Sequence, residues 1–287
     1  MKILVLGSSG ILGNYLYNFL KKDYKVFNSG LRKRKFNLLS FNKLKNFIIK
    51  IKPDIIINCS AITNIDKCQI DKKNAYNVNY VIVKNLISII KKFNFQTKII
   101  QISTDQFYDN KNKKFNNENV NQLKNYYCKT KYLAEKICVK NKLVVLRTNF
   151  FGFSKSKNQS FSDWIFNSFK SKKKFYLLSD VYFSPLNLGT LCKMIKKVIK
   201  NIKYTQGVFN LGSKDCMSKK QFAITFAKQC NIYNKNYKLI NSSKLFNINR
   251  PKLMCMNVGK FEKKFKVKLP STYNQILKEV KNYNLKK

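Results

Sequence analysis

The sequence predicts an α/β protein in which a doubly wound parallel sheet carries a smaller C-terminal cap. Three observations predict it: a strand, a glycine-rich turn and a helix open the chain; apolar strands alternate with amphipathic helices through the first two-thirds; and from about Gly152 shorter segments follow, punctuated by Ser184-Pro185, Gly207 and Gly212. At 287 residues, 44% of them hydrophobic, the chain is long and apolar enough to bury a full core.

Taken in order, Lys2 to Leu6 reads as a short buried strand, and Ile11, Leu12, Tyr15, Leu16 and Phe19 recur behind it at helical spacing. Between them, Gly7-Ser-Ser-Gly10-Ile-Leu-Gly13 places three of the nine glycines on one turn. Gly7 allows the tight turn, Gly10 lets backbone N–H groups approach a pyrophosphate, and Gly13 lets the helix pack closely on its strand, with the anion at the positive helix N-terminus. That is the pattern of a Rossmann dinucleotide-binding unit.

A second strand at Lys25 to Ser29 precedes a helix over Phe41 to Ile51, and the apolar run from Ile55 to Ala61 supplies a third strand. A helix from Ala75 to Phe93 leads to a strand at Lys98 to Ser103, a loop rich in Asn and Lys, a helix over Tyr126 to Lys140 and a strand at Leu143 to Arg147. The dinucleotide-binding domain is therefore drawn as residues 1–151. Residues 152–287 are assigned mainly to a substrate-binding cap, with helices at Lys219 to Cys230 and Tyr273 to Tyr283, while 204–212 returns a strand, Gly207 to Leu211, to the Rossmann sheet. Ligands of such sheets bind at the carboxyl ends of the strands, where the cap would close over a substrate.

Composition narrows the chemistry. The chain has no histidine, which removes the Ser-His-Asp triad and every His-ligated metal, so acid–base work falls to Tyr, Lys, Cys, Asp or Glu. The eight cysteines are scattered without a CxxC pair, so reduced thiols and no metal site are expected. The net charge of +45 comes almost entirely from lysine spread through every segment beside abundant Asn, Ile, Phe and Tyr, with only Arg32, Arg34, Arg147 and Arg250 as arginines. Base and phosphate readers favour arginine, so nucleic acid is expected as a non-specific partner only. No apolar run reaches about 18 residues and no signal-like leader opens the chain, so no membrane association and a cytoplasmic location are expected.

A second motif carries the chemistry. Tyr127-Cys-Lys-Thr-Lys131 sets a phenol and an ammonium one turn apart on one helical face. Tyr17/Lys21, Tyr80/Lys84, Tyr132/Lys136 and Tyr283/Lys287 share the spacing, so position must choose between them. Only Tyr127 follows, by about two dozen residues, a strand ending in Gln101-Ile-Ser103-Thr104-Asp105, which delivers hydroxyls to the sheet's carboxyl edge. At the end of the second strand, where an acidic residue would hold a ribose 2′-hydroxyl, the chain offers Asn28-Ser-Gly30-Leu-Arg32-Lys-Arg34 and no acid until Asp54. That favours NADP(H), with Arg32 near the 2′-phosphate, over NAD(H).

These motifs resemble the extended short-chain dehydrogenase/reductases, and within them the dTDP-4-dehydrorhamnose reductase group of nucleotide-sugar reductases. The resemblance spans nearly the whole chain. It rests on the Gly7 to Gly13 turn, Asn58-Cys-Ser-Ala-Ile-Thr-Asn64 with Asp66, Asn79, Ser103-Thr-Asp-Gln-Phe-Tyr-Asp109, Tyr127 to Lys131 with Glu135, Arg147-Thr-Asn-Phe-Phe-Gly152, Gly207-Val-Phe-Asn-Leu-Gly-Ser213 and Arg250-Pro251. It implies a catalytic centre of Thr104, Tyr127 and Lys131: hydride from a nicotinamide reaches a ketone carbon of a 4-keto-6-deoxy nucleotide sugar, and Tyr127 protonates the developing oxygen. It further implies that Gly7, Gly10, Ile11, Leu12, Gly13, Asn37, Leu38, Ala61, Ile62 and Thr63 line the coenzyme with Tyr127 and Lys131. Ser103, Thr104, Asp105, Asn149, Phe150 and Arg250 would meet the substrate, and a homodimer is the expected assembly. Gln106 stands where the related dehydratases have Glu, and an amide does not titrate, which disfavours dehydration. Other outcomes in the same fold are a nucleotide-sugar epimerase and a catalytically silent, nucleotide-sensing regulatory subunit.

Overall fold

The computed structural model describes residues 1–29, 37–109, 115–154, 159–171 and 173–284. Along the chain, β1 (Lys2–Leu6), α1 (Ile11–Leu20), β2 (Lys25–Asn28), α2 (Phe41–Ile51), β3 (Ile55–Asn58), α3 (Ile65–Ile70), α4 (Lys72–Tyr76), α5 (Ile82–Lys92), β4 (Lys98–Thr104), α6 (Tyr126–Lys140) and β5 (Val144–Thr148) come first. They are followed by β6 (Phe150–Phe151), α7 (Phe161–Lys170), β7 (Phe175–Leu178), β8 (Tyr182–Phe183), β9 (Leu186–Asn187), α8 (Leu188–Lys200) and β10 (Gly207–Leu211). The chain closes with β11 (Met217–Ser218), α9 (Lys219–Gln229), β12 (Tyr237–Ile240), α10 (Ser242–Leu245), β13 (Leu253–Met254), α11 (Gly259–Phe265) and α12 (Thr272–Asn284).

A six-stranded parallel sheet runs in the order β10-β5-β4-β3-β1-β2. In register, Leu4 lies opposite both Phe27 and Ile56, and Ile57 opposite Ile100. The uninterrupted apolar runs Ile3–Leu6 and Ile55–Ile57 are buried throughout, as strands covered on both faces must be. Sequence order reverses between β1 and β3, so the turn after Leu6 and the loop after Asn58 leave the sheet at its switch point, where doubly wound folds bind nucleotides. β10 takes the edge beside β5, which puts 207–211 in this sheet.

The chain divides into two compact units. The first comprises Met1–Ser103, Asn125–Leu146 and Met194–Val208; the second comprises Thr104–Lys124, Arg147–Lys193 and Phe209–Lys287. An aliphatic core holds the first, with Leu4, Leu6, Leu44, Ile48, Ile56, Leu86 and Val145 packed together. The helix expected over Ala75 to Phe93 differs in form: α4 starts at Lys72, and a π-helical turn over Asn77–Val81 separates it from α5. A π turn re-aims one side chain out of the i→i−4 ladder, and here that residue is Asn79, which is drawn to the loop after β3.

The second unit has an aromatic core. Phe151 meets Phe222 edge-on with ring centroids 4.7 Å apart, and Phe183 and Phe226 pack on the same ring. Capping boxes start α7 (Ser160 with Asp163) and α9 (Ser218 with Gln221). Glu279 of α12 accepts from Phe153 N and from the Asn187 amide, which ties the last helix to β9. Two cysteines depart from the reduced thiols expected: Cys216 and Cys255 form a disulfide, their Cα atoms 5.4 Å apart. The long-range pairing of β11 and β13 with β8 brings these residues together, a proximity that spacing along the chain does not reveal.

Candidate active site

In the first unit the site begins at the Gly7 turn. Gly7 has φ +74°, and a Cβ there would lie 2.6 Å from Ser60 N; a Cβ on Gly13 would lie 2.2 Å from the Gly7 carbonyl oxygen. Both positions require glycine for backbone reasons. Gly10 is different: its φ is −79° and a Cβ would approach only the Gly7 oxygen, at 3.3 Å. The protein's own packing therefore demands little of Gly10, and a bare backbone there suits a ligand approaching closely. Gly10 is the N-cap of α1 and gives its first-turn amides no side-chain cap, and no acidic residue occupies that turn. The Ser8 hydroxyl, 1% exposed, has no hydrogen-bond partner among the described residues. Uncapped amides at a positive helix end and an idle buried hydroxyl fit the pyrophosphate of a dinucleotide.

The loop after β3 is fixed from behind. Asn58 donates to Gln101 at 2.9 Å and accepts from Ser60 N at 3.1 Å. Asn79 brackets Ile62, accepting from its N–H at 2.8 Å and donating to its carbonyl at 3.2 Å, so Ala61, Ile62 and Thr63 are held against the helix that bears Asn79. Asn37 accepts from Leu39 N at 2.9 Å, and Leu38 packs partly against the aliphatic core. Arg32 lies outside the described residues.

Asn125 caps α6 by accepting from Cys128 N at 3.0 Å, and this helix positions Tyr127 and Lys131. Both are buried, Lys131 to 3% exposure. The Lys131 ammonium donates to the Ile102 carbonyl at 2.6 Å, two residues before the end of β4. Burial lowers its pKa to about 8, and the Glu135 carboxylate one turn on limits the fall. An amine in that condition is still mainly cationic at neutral pH.

In the second unit, Thr104 accepts from Gln106 N at 3.2 Å and is buried. Asp105 is 1% exposed; burial pushes its carboxyl up to about 6, while a 2.7 Å bond from the Asn149 amide and the nearby Lys219 charge pull the other way. Phe150 forms the short β6, half-buried and paired with Leu186 of β9. The Arg250 guanidinium stacks 3.6 Å above the Phe246 ring. The Ser103 hydroxyl, in the first unit at the end of β4, is buried without a partner among the described residues. Arg147 serves the fold, since it donates to the Tyr108 hydroxyl at 2.8 Å and to the Glu118 carbonyl at 2.6 Å.

Two residues emerge here that sequence reasoning left without a role. Asn79 was visible as part of a motif, but its clamp on Ile62 depends on the π turn. Lys219, beside Asp105, gives no signal in a chain where lysine is everywhere. Among the described residues no group of three or more His, Cys, Asp or Glu could hold a metal ion, and no helix is long and apolar enough to cross a membrane.

Comparison with known proteins sets this geometry in context. The family model described as RmlD substrate binding domain matches residues 1–284. The chain is similar to dTDP-4-dehydrorhamnose reductase of Aggregatibacter actinomycetemcomitans, 23% identical over 296 residues, covering 98% of this chain and 99% of that one. It is also similar to methionine adenosyltransferase 2 subunit beta of Bos taurus, 23% identical over 277 residues, covering 91% and 81%. Among solved structures, a dTDP-4-dehydrorhamnose reductase from Clostridium acetobutylicum superposes with a TM-score of 0.86 at 24% identity, covering 99% of both chains. One from Bacillus anthracis in complex with NADP gives a TM-score of 0.88 at 20% identity, covering 98% and 99%. With a glycine turn, a Tyr127/Lys131 helix and a family match that run the length of the sequence, the chain belongs to the RmlD substrate binding domain family, within the extended short-chain dehydrogenase/reductases that its motifs resemble.

Proposed function

We propose that this protein reduces the keto group of a 4-keto-6-deoxy nucleotide sugar with NADP(H), in the manner of a dTDP-4-dehydrorhamnose reductase. The observation that carries this reading is Lys131: a buried cation one helical turn after Tyr127, anchored to the Ile102 carbonyl in the strand that ends at Thr104. A buried lysine whose ammonium is fixed to a carbonyl of that strand is held in one place, as a group that supports proton transfer at the strand end would need to be.

Bound NADP(H) supplies the hydride that adds to the carbonyl carbon. Tyr127 gives its phenolic proton to the oxygen that becomes negative, and the Lys131 charge favours the phenolate left behind. Thr104, with Ser103, orients that oxygen beforehand, so the donors need no rearrangement at the moment of transfer. Lys131 also holds the nicotinamide ribose hydroxyls. Backbone N–H groups of Gly7 to Gly13, including Ile11 and Leu12, bind the pyrophosphate, while Asn37, Leu38 and Ala61 to Thr63 flank the adenosine part. Asp105, Asn149, Phe150 and Arg250 take the sugar nucleotide. Arg32 and the NADP complex of the Bacillus anthracis relative support NADP(H) over NAD(H). Gln106 offers no titratable group for dehydration.

The test is loss of the reduced-nicotinamide absorbance against a panel of keto-sugar nucleotides. Wild type is expected to turn over at least one of them and Tyr127→Phe to lose at least two to three orders of magnitude. Equal turnover by both on every accepted substrate would overturn the assignment. The likeness to methionine adenosyltransferase 2 subunit beta favours a second reading, a regulatory subunit that senses a nucleotide. Tight NADPH binding with no reduction of any panel member would select it.

A further inference from the structure

The last helix grips the second unit through one buried carboxylate. Glu279 of α12 is 2% exposed; its Oε1 accepts from Phe153 N at 2.8 Å and from the Asn282 amide at 3.0 Å, and its Oε2 accepts from the Asn187 amide at 2.9 Å. Gln275, one turn earlier, accepts from Asn187 N at 3.1 Å. The Asn187 side chain is held from turning over, because its Oδ1 already accepts from Thr190 N at 2.8 Å.

Two very short strands meet at this point. β6 and β9 form a two-stranded parallel pair, with Phe150 opposite Leu186 and Phe151 opposite Asn187. A ladder of two residues does not set its own register, and a slip by one would turn every side chain to the other face. Glu279 and Gln275 hold both strands from one side, through the Phe153 N–H just past β6 and through both nitrogens of Asn187 in β9. The chain is thinned at Gly152 to admit the carboxylate: φ there is +147°, and a Cβ would lie 3.3 Å from the Glu279 carboxyl carbon.

The position calls for a carboxylate. Donors converge on both Glu279 oxygens, whereas a glutamine offers one acceptor oxygen and would turn its NH2 toward either the Phe153 N–H or the Asn187 amide. Register at β6 also sets the residue before it. Asn149 accepts from Leu186 N through its carbonyl at 3.0 Å and donates its amide to Asp105 Oδ2 at 2.7 Å. Burial pushes the Asp105 carboxyl up to about 6; the Asn149 amide is foremost among the groups that pull it back, ahead of the Lys219 charge, a backbone N–H and the Thr104 hydroxyl.

We propose that Glu279 is a positioning residue of the candidate active site: by holding β6 and β9 in register, its carboxylate keeps the Asn149 amide on Asp105, the pair that would meet the sugar. That the pair meets a substrate rests on the reductase reading, whereas the tie from α12 to Asn149 rests on the bonds of the second unit alone. Glu279 acts through β6, so its loss weakens substrate binding and leaves the hydride step and the coenzyme as they are.

The test compares Glu279→Gln, Asn149→Ala and the double variant, each saturated with NADPH, on a keto-sugar nucleotide that wild type reduces. Glu279→Gln is expected to raise KM about tenfold, the scale of one lost hydrogen bond, with kcat within about threefold of wild type and the NADPH dissociation constant unchanged. The double variant should have a KM no higher than that of Asn149→Ala, since both changes remove one contact. Without substrate, the Asp105 carboxyl carbon followed by 13C NMR should titrate at higher pH in Glu279→Gln than in wild type, where it lies near 6. If Glu279→Gln does not fold, Gln275→Met, which frees only Asn187 N, gives the same readings on a smaller scale. A folded Glu279→Gln with a wild-type KM or an unmoved Asp105 titration, or one whose effect adds in full to that of Asn149→Ala, overturns the proposal. An Asp105 titration that moves in a protein reducing no keto sugar would uphold the tie and remove the reductase reading.

Discussion

Asn79 donates its side-chain amide to the Thr130 hydroxyl at 3.0 Å, across 51 residues of sequence, and Thr130 donates in turn to the Tyr127 carbonyl at 2.9 Å. The same Asn79 brackets both backbone groups of Ile62. One side chain thus ties the loop after β3 to the helix bearing Tyr127 and Lys131, and the π turn is what aims it. Replacing it with Ala leaves the Ile62 N–H without its acceptor, while the Ile62 carbonyl keeps the Cys68 thiol and the Thr130 hydroxyl keeps the Tyr127 carbonyl, an expected loss of about 1–3 kcal/mol. Denaturant unfolding should show that loss, and the NADPH dissociation constant should rise several-fold. Unchanged stability and unchanged coenzyme affinity in Asn79→Ala would remove the coupling role.

The glycine turn separates two kinds of requirement. Gly13→Ala drives a methyl group into the Gly7 carbonyl at 2.2 Å, so α1 must move and stability is expected to fall by several kcal/mol along with coenzyme binding. Gly10→Ala meets only the Gly7 oxygen, at 3.3 Å, and should fold with nearly wild-type stability while NADPH affinity drops tenfold or more in about the range of one lost phosphate contact. Paired melting and fluorescence titrations distinguish the two. A Gly10→Ala protein that binds NADPH as wild type does would show that no ligand approaches there.

The chemistry should fail at high pH through Lys131. Its folded pKa lies near 8, below the ordinary 10.5, because burial disfavours the cation. The folded chain therefore gives up this proton before the unfolded chain would: the burial cost is present below about pH 8 and is relieved as pH rises through the window from 8 to 10.5. Activity follows the opposite course, since the neutral amine no longer supports the Tyr127 phenolate. The pH profile of kcat/KM is expected to bend downward near pH 8, and Lys131→Met should be inactive across the range. A profile flat to pH 10 in the wild type would contradict the assigned role.

The Cys216–Cys255 disulfide spans 39 residues. On the loop-entropy view a bridge of that length contributes about 4 kcal/mol by restricting the unfolded chain. Dithiothreitol, or Cys255→Ser, is expected to lower the stability of the oxidised protein by roughly that amount, with no further effect of the reductant on the variant. Mass spectrometry of the unreduced protein that finds both thiols free would remove the bridge from the fold.

Local patterns sufficed wherever neighbouring residues decide the outcome. The limits of α2 at Phe41–Ile51 and α6 at Tyr126–Lys140, and of the strand Gly207–Leu211, follow from apolar period, caps and glycine, all of which act within a few residues. The Gly7 to Gly13 turn and the Tyr127/Lys131 spacing were legible for the same reason. The π turn at Asn77–Val81 was not, because it answers to Ile62 and Thr130, which a helical period does not register.

Sequence alone determined the fold class, the glycine turn after β1 and the one-turn spacing of Tyr127 and Lys131 on α6, because strand, turn and helix signals are written in contiguous residues whose backbone chemistry is local. Only the tertiary structure decided which of many lysines matters. Lys131 and Lys219 are distinguished by what surrounds them, a strand carbonyl at 2.6 Å in one case and two aromatic rings with a carboxylate in the other. Burial and fixed neighbours give a charge its chemical meaning, and both arise from residues far apart in the chain.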